Sequence, residues 1–226
     1  MKEYSETIPA QYEEGKAVFM GMEVLVDERV LIPRPETELL VEIVAGLCRL
    51  RKWQAPLILD MGTGSGAITL GLIKLIDDCG IVAADISDDA LAVARENLKK
   101  FRVEKRVSLK KTDMFSGFDD TYNGVFNCVV SNPPYVSAKD YEKLDAWVRA
   151  EPRTALYAGE EGLDHLNTLA GESQRVLADG GLLALEVGYD QAGKVKRRLR
   201  EHGFIDIRGF KDLNGYERVI TGWKHG

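Results

Sequence analysis

Cysteine and histidine are scarce, three of each in 226 residues, and neither is grouped for chemistry. Cys48, Cys79 and Cys128 form no C-x-x-C pair and sit in or beside apolar stretches, the setting of buried reduced thiols rather than of a disulfide framework. His165, His202 and His225 show no ligand spacing with one another or with cysteine, so no metal centre is expected. Positive charge is also short: 30 Lys and Arg against 36 Asp and Glu leave a formal charge of −6. Such a surface offers no general attraction for a polyphosphate backbone, and stable nucleic-acid binding is not expected. No apolar run approaches the ~18 residues that would span a bilayer, and the charged opening Met1–Thr7 lacks the apolar stretch of a signal peptide. The expectation is a cytoplasmic protein without membrane association. There is no internal repeat and no low-complexity tract, so one main core is the default.

What is present is an alternation. From about Pro56 onward, apolar runs of strand length alternate with stretches of helical period, the pattern of βα units laid into a largely parallel sheet. Strands are expected at Leu57–Met61, Ile81–Ile86, Val107–Lys110, Phe126–Ser131 and Leu182–Val187, with a last antiparallel pair, Ile205–Phe210 and Arg218–Gly222, joined through the Asn214-Gly215 turn signal. The fold class is therefore α/β, a mostly parallel seven-stranded sheet finished by an antiparallel hairpin. Ser87 with Asp88 and Asp89 predicts a helix start, and Leu91, Ala94 and Leu98 form its apolar face. A second helix, over Leu163, Leu166, Leu169, Ala170 and Val176-Leu177, is expected to end at Asp179-Gly180-Gly181. The basic run from Lys194 to Arg200 reads as the solvated face of a helix. Residues 1–54 have another texture: a small hairpin turning at Gly21, then a proline-bracketed segment and a helix opened by Pro35. They are expected to form an extension packed on a main domain at residues 55–226.

The first motif with chemical content is Gly62-Thr63-Gly64-Ser65-Gly66, directly after Leu57–Met61 and before a helix. Glycines there let the backbone pass close to a ligand at the carboxyl edge of the sheet, beside a helix N-terminus. Asp85 stands 23 positions after Gly62 at the end of the next strand, about the separation at which such folds place an acid on ribose hydroxyls. Asp60 precedes the loop and is placed to meet, directly or through water, the ammonium of an amino-acid moiety. The G-x-G-x-G spacing differs from the G-x-G-x-x-G of dinucleotide enzymes, and an acid beside the loop would repel a pyrophosphate. S-adenosylmethionine satisfies both conditions.

The second motif is Asn132-Pro133-Pro134-Tyr135, at the carboxyl end of Phe126–Ser131. Two prolines stiffen the turn and remove two N–H donors, leaving outward carbonyl acceptors. A target NH2 would give its hydrogens to the Asn132 side-chain oxygen and the Pro133 carbonyl, while Tyr135 packs on the flat face of the amide or base. An amide lone pair is delocalised, so orientation rather than prior deprotonation is the main need. No His or Cys base is required. Methyl transfer to such a nitrogen competes here with an N6-adenine methyltransferase on DNA or RNA, since an exocyclic base amine presents the same hydrogens. A protein that binds the cofactor without catalysis is the other alternative.

These residues resemble the HemK-type protein-glutamine N5-methyltransferases, class I Rossmann-like enzymes whose best-known members modify translation release factors. The resemblance runs through Gly15 to Phe19, Leu31-Ile32-Pro33-Arg34-Pro35-Glu36-Thr37-Glu38, Asp60 to Gly66, Asp85, Asp113-Met114-Phe115, Ser131 to Val136, Glu151-Pro152-Arg153 and Lys211 to Gly215. The Pro-Arg-Pro-Glu-Thr-Glu segment is the most specific part. The resemblance implies that Gly62 to Gly66 and Asp85 hold the cofactor and that Asp113 and Met114 line the adenine pocket. It also implies that Asn132 to Tyr135 hold a glutamine from a Gly-Gly-Gln loop, with Asn132 bordering the cofactor as well. Many members carry an aromatic residue at the Met114 position; methionine packs there more softly. Typical bacterial members also place a helical, substrate-recognising domain ahead of the hairpin, whereas about a dozen residues precede Gly15 in this sequence. The expectation is a sequence of this family without that domain, whether as a short member, as a piece of a longer chain, or as a member with another substrate.

Overall fold

A computed structural model describes residues 8–226; the charged opening Met1–Thr7 lies outside the described residues. In chain order the strands are β1 (Lys16–Phe19), β2 (Met22–Leu25), β3 (Leu57–Met61), β4 (Gly80–Asp85), β5 (Val107–Lys111), β6 (Phe126–Ser131), β7 (Leu177–Glu186), β8 (Ile205–Lys211) and β9 (Glu217–Trp223). The α-helices are α1 (Ala10–Glu14), α2 (Pro35–Leu50), α3 (Ala67–Leu75), α4 (Asp88–Phe101), α5 (Ala138–Tyr141), α6 (Ala146–Arg149), α7 (Arg153–Leu156), α8 (Asp164–Val176) and α9 (Ala192–Glu201).

β3 to β9 form one seven-stranded sheet in the order β5-β4-β3-β6-β7-β9-β8, parallel except for β9, which runs antiparallel between β7 and β8. The central strands β3 and β6 are buried along almost their whole length, whereas the edge strands β5 and β8 are partly exposed. Ile58 belongs to the core beneath α2 and α3, whereas Leu59 and Met61 belong to the core beneath α8 and α9. The chain moves outward from β3 to β4 and β5 on one side and returns to β6 on the other. The strand order thus reverses between β3 and β6, where an open α/β sheet leaves a crevice beyond its carboxyl ends.

Local chemistry sets the helix ends. Ser87 caps α4 by accepting from the Ala90 N–H at 3.1 Å, with Asp88 and Asp89 in the first turn. Pro35 opens α2 as its first residue after an extended Arg34. The turn between β1 and β2 uses Met20 and Gly21, both left-handed, which is the backbone a tight hairpin demands. Phe19 and Val24 from this hairpin are buried in the core of α2 and α3, and Asn97 of α4 ties it further: its amide bonds both backbone groups of Leu25 and the Ser65 carbonyl.

One element differs from expectation. Asp179-Gly180-Gly181 does not end a helix; α8 stops at Val176 and these residues lie inside β7, which begins at Leu177, five residues before its expected start. The pairing explains this: Phe126 faces Leu177 while Cys128 faces Leu182, so β7 carries a long irregularity against β6, with Gly180 left-handed within it. The other strands agree with the expected spans to within one residue at either end, apart from Ile86, which falls just outside β4 and is exposed. All three cysteines are free and buried, and burial raises their thiol pKa values. None of the described helices is long and apolar enough to cross a membrane.

Candidate active site

β3 and β6 are parallel neighbours with Asp60 paired to Val130, so the loops that follow them leave the same rim of the sheet. The glycine loop after β3 folds back on β4, its Gly62 and Thr63 N–H groups both donating to the Ala84 carbonyl. Gly62, Gly64 and Gly66 are all left-handed. At Gly62 and Gly64 a Cβ would meet no heavy atom within 4 Å, so the backbone faces open space where an occupant can approach it.

That space is a cleft of about 760 Å³. Of the residues expected to hold a cofactor, Gly62, Gly64, Asp85, Asp113, Met114 and Asn132 line it. Asp60, Thr63, Ser65 and Gly66 do not; they brace the loop from behind. Asp60 is 0 % exposed, and one of its oxygens accepts from the Thr63 and Thr69 hydroxyls at 2.7 Å each. Its other oxygen, Oδ1, is buried without a hydrogen-bond partner, and burial pushes the carboxyl up to about 6. The Asp85 carboxylate spans the mouth of the loop, accepting from the Gly64 N–H at 2.9 Å and the Ser87 N–H at 3.0 Å. Met114 is held in the left-handed region, an uncommon backbone for a non-glycine residue. A glycine loop open to close approach, the Asp85 carboxylate at the cleft, an unpaired buried carboxylate oxygen behind the loop and the apolar walls of Met61, Ile86, Ala90 and Met114 fit a nucleoside carrying an amino-acid arm.

A second cleft, of about 770 Å³, lies on the other side of the Asn-Pro-Pro-Tyr turn and is lined by Arg34, Pro133, Tyr135, Leu144, Trp147 and Val148 among others. Asn132, Leu31 and Ala155 line both clefts. Asn132 is the only one of the three with a polar side chain, and it stands at their junction. Pro134 faces the first cleft and Pro133 and Tyr135 the second, so the turn forms the partition.

Glu186, Arg218 and Trp147 gave no signal in the sequence, and Arg34, Thr37 and Glu151 stood out only through the resemblance. Asn132 Nδ2 donates to Thr37 Oγ1 at 3.0 Å, and Thr37 donates to Glu186 Oε2 at 2.7 Å. The Tyr135 hydroxyl makes a long contact of 3.4 Å to Glu186 Oε1, and the Arg218 guanidinium lies 5.7 Å from the Tyr135 ring centre. Burial and the nearby Glu186 carboxylate raise the Tyr135 phenol. Beside the second cleft, Arg34 pairs with Glu151, which also accepts from the Ile32 N–H at 3.0 Å, and the Arg34 guanidinium lies 5.7 Å from the Trp147 ring centre. The Pro-Arg-Pro-Glu-Thr-Glu segment thus supplies Arg34 to one anchor and Thr37 to another.

The family model described as the methyltransferase small domain matches residues 36–153, which carry the glycine loop, Asp85 and the Asn-Pro-Pro-Tyr turn. The methyltransferase of Pyrococcus furiosus shares the fold, with a TM-score of 0.65 at 19 % identity, covering 92 % of this chain and 91 % of that one. With the reversed-order sheet and the cleft at its switch point, these observations define a class I methyltransferase whose cofactor is S-adenosylmethionine. The relatives narrow the class. Over 216 residues the chain is 42 % identical to the release factor glutamine methyltransferase of Streptococcus pneumoniae, covering 94 % of this chain and 74 % of the relative. It is 40 % identical to the same-named enzyme of Chlorobaculum tepidum, with the same two coverages. The solved release-factor-specific protein-(glutamine-N5) methyltransferase of Alicyclobacillus acidocaldarius is 29 % identical, with a TM-score of 0.52 over 86 % of this chain and 95 % of that one. This chain belongs to the release factor glutamine methyltransferase family.

Proposed function

We propose that the chain methylates the side-chain amide nitrogen (N5) of a glutamine in the Gly-Gly-Gln loop of a translation release factor, acting in the cytoplasm. The observation that supports the reading is the place of Asn132, a polar residue that lines both the first cleft and the second. The family's relatives carry this activity in their names.

S-adenosylmethionine supplies an electrophilic methyl group on a sulfonium. The chain's task is to hold a weakly nucleophilic nitrogen in line with it. In this reading Gly62, Gly64, Asp85, Asp113 and Met114 would hold the nucleoside, and the Asp60 carboxylate, behind the loop, would supply negative charge toward the ammonium arm through water. On the acceptor side, Asn132 Oδ1 and the Pro133 carbonyl take the two hydrogens of the target NH2, and Tyr135 with Pro134 shapes the slot. Fixing both hydrogens fixes the direction of the nitrogen lone pair, and proximity and alignment can lower such a barrier by up to ~7–11 kcal/mol. On accepting a methyl group the amide nitrogen would lose one proton to water, which keeps the charge balanced. The exposed Trp147 and the apolar Leu144 and Val148 give the second cleft the character of a peptide-docking slot rather than a nucleic-acid channel, and the chain's −6 charge favours the same choice.

Incubating the protein with methyl-labelled S-adenosylmethionine and either a release factor or an adenine-containing oligonucleotide tests this directly. Mass spectrometry should find the added methyl on the glutamine of the Gly-Gly-Gln loop; label on the oligonucleotide alone would replace the reading with base methylation. The cofactor half has its own check. Asp85→Ala should weaken S-adenosylmethionine binding by ~1.5–3 kcal/mol, the worth of hydrogen bonds to a charged group. An affinity within twofold of wild type in calorimetry would remove Asp85 from the ribose.

A further inference from the structure

Behind the acceptor turn lies a buried carboxylate to which the chemistry above gives no task. Glu186 ends β7 and is 0 % exposed, in a sheet whose neighbouring positions are apolar. It is held by the Thr37 hydroxyl at 2.7 Å and, more loosely, by the Tyr135 hydroxyl at 3.4 Å. Thr37 is itself buried and is the partner of the Asn132 amide at 3.0 Å.

Proton counting decides what this chain of contacts does. A hydroxyl has one hydrogen and two lone pairs; an ionised carboxylate only accepts. The Thr37 hydrogen is therefore committed to Glu186, and Thr37 Oγ1 has only lone pairs left for Asn132. A side-chain amide offers either an acceptor or a donor edge, and here only the donor edge satisfies Thr37. The Asn132 NH2 must turn inward, and its carbonyl oxygen outward. The opposite rotamer would set two acceptors against each other inside and present an NH2 to a substrate NH2 outside.

Resting on the acceptor reading above, we propose that Thr37 and Glu186 are positioning residues that lock the Asn132 amide with Oδ1 toward the acceptor, the one orientation that takes a hydrogen from a target NH2. Neither touches the reacting atoms. Both act through Asn132.

The lock depends on Glu186 being ionised. The groups that face it are Thr37 and Glu36 from α2, Tyr135 from the acceptor turn and Arg218 from β9. Burial raises its carboxyl most; the Thr37 bond, the Arg218 charge and the Tyr135 bond lower it, Glu36 raises it, and it stands at about 7. A protonated Glu186 is a donor. Thr37 can then accept from it and donate to the Asn132 oxygen, so the amide loses its directional constraint. Turnover should accordingly fall as pH drops through about 7 and hold above it.

The test uses shape-conserving variants: Glu186→Gln, which cannot ionise; Thr37→Val, which removes the hydroxyl; and Thr37→Ser, which restores it. In the cofactor-free protein labelled with 15N-asparagine, the Asn132 NH2 signal, assigned by its loss in Asn132→Ala, should titrate with a midpoint near 7 in the wild type and not in Glu186→Gln or Thr37→Val. In the methylation assay, Glu186→Gln and Thr37→Val should lower kcat by about tenfold to a hundredfold with the S-adenosylmethionine KM within about threefold. Thr37→Ser should recover most of that loss, and the acidic limb of the pH profile should vanish in Glu186→Gln. An Asn132 signal that is silent to pH, or that titrates identically in Glu186→Gln, overturns the proposal; so does wild-type kcat in Thr37→Val, or Thr37→Ser as slow as Thr37→Val. A wild-type protein that methylates no glutamine is a failure of the acceptor reading instead, and the spectroscopic arm still decides the orientation of the amide.

Discussion

Asn132→Ala is expected to lower kcat for methyl transfer by about 10²–10³-fold, the range seen when one preorganised hydrogen-bonding group is removed from a reaction centre. The cofactor Kd should stay within about tenfold, because the loss is of transition-state geometry and not of ground-state binding. Three features make this site sensitive. Asn132 borders both clefts, so no neighbouring polar side chain of the shared wall can substitute for it. Its inner edge is fixed by Thr37, so its outer edge is presented without further ordering cost. Truncation also strands Thr37 Oγ1 without its donor in a buried position, which alone costs ~1–3 kcal/mol. Single-turnover kinetics together with calorimetry separate these effects. Unchanged turnover would remove Asn132 from the mechanism, and a large loss of cofactor affinity would make it a cofactor ligand first.

The parts of the fold legible in the sequence are those where one physical rule acts alone. β3 and β6 lie in the sheet interior, buried on both faces, so their sequences are mainly apolar runs stopped by a glycine loop and a proline turn, and their bounds can be read to the residue. β7 shows the opposite case. Asp179-Gly180-Gly181 carries the composition of a helix stop, yet the chain needs that flexibility inside a strand, to absorb the irregular register against β6. Composition cannot tell a stop from a bulge when pairing decides.

The site divides in the same way. The glycine loop and the Asn-Pro-Pro-Tyr turn are local, each a strand end followed by a few residues, and spacing alone finds them. The network that holds Asn132 is not local: Thr37 lies 95 positions from Asn132 and 149 from Glu186. From the residues alone it leaves an acid near the end of the otherwise apolar run Leu182 to Val187, which sequence reasoning takes as the end of a strand. Resemblance singles out the Pro-Arg-Pro-Glu-Thr-Glu segment without saying why. Packing supplies the reason, since Arg34 and Thr37 point to separate buried carboxylates three residues apart on one helix start.

The other of those carboxylates carries the second large expectation, a loss of stability. Glu151→Ala should destabilise the protein by ~3 kcal/mol, the lower end of what breaking a buried ion pair costs, because Arg34 keeps a quarter of its side-chain exposure and can recover some hydration. Glu151 itself is 2 % exposed, and two partners depend on it: the Arg34 guanidinium and the Ile32 backbone N–H, which lies in a segment without regular hydrogen bonding of its own. At this chain length ~3 kcal/mol corresponds to roughly 6–12 °C in Tm. Burial raises the Glu151 carboxyl while Arg34 and the Ile32 N–H lower it, and burial prevails. A raised carboxyl makes the folded state bind its proton more tightly, so this residue's ionisation contributes no stability that acid would remove. The damage from Glu151→Ala is therefore an unpaired cation and an unsatisfied N–H, and Glu151→Gln, which keeps the acceptor for Ile32, should recover part of the loss. Since Leu31 lines both clefts beside this anchor, cofactor affinity and methyl transfer should decline together in Glu151→Ala at temperatures where the fold persists. Thermal melts that place Glu151→Ala within 2 °C of the wild type, roughly 0.5–1 kcal/mol at this chain length, would show the anchor to be dispensable.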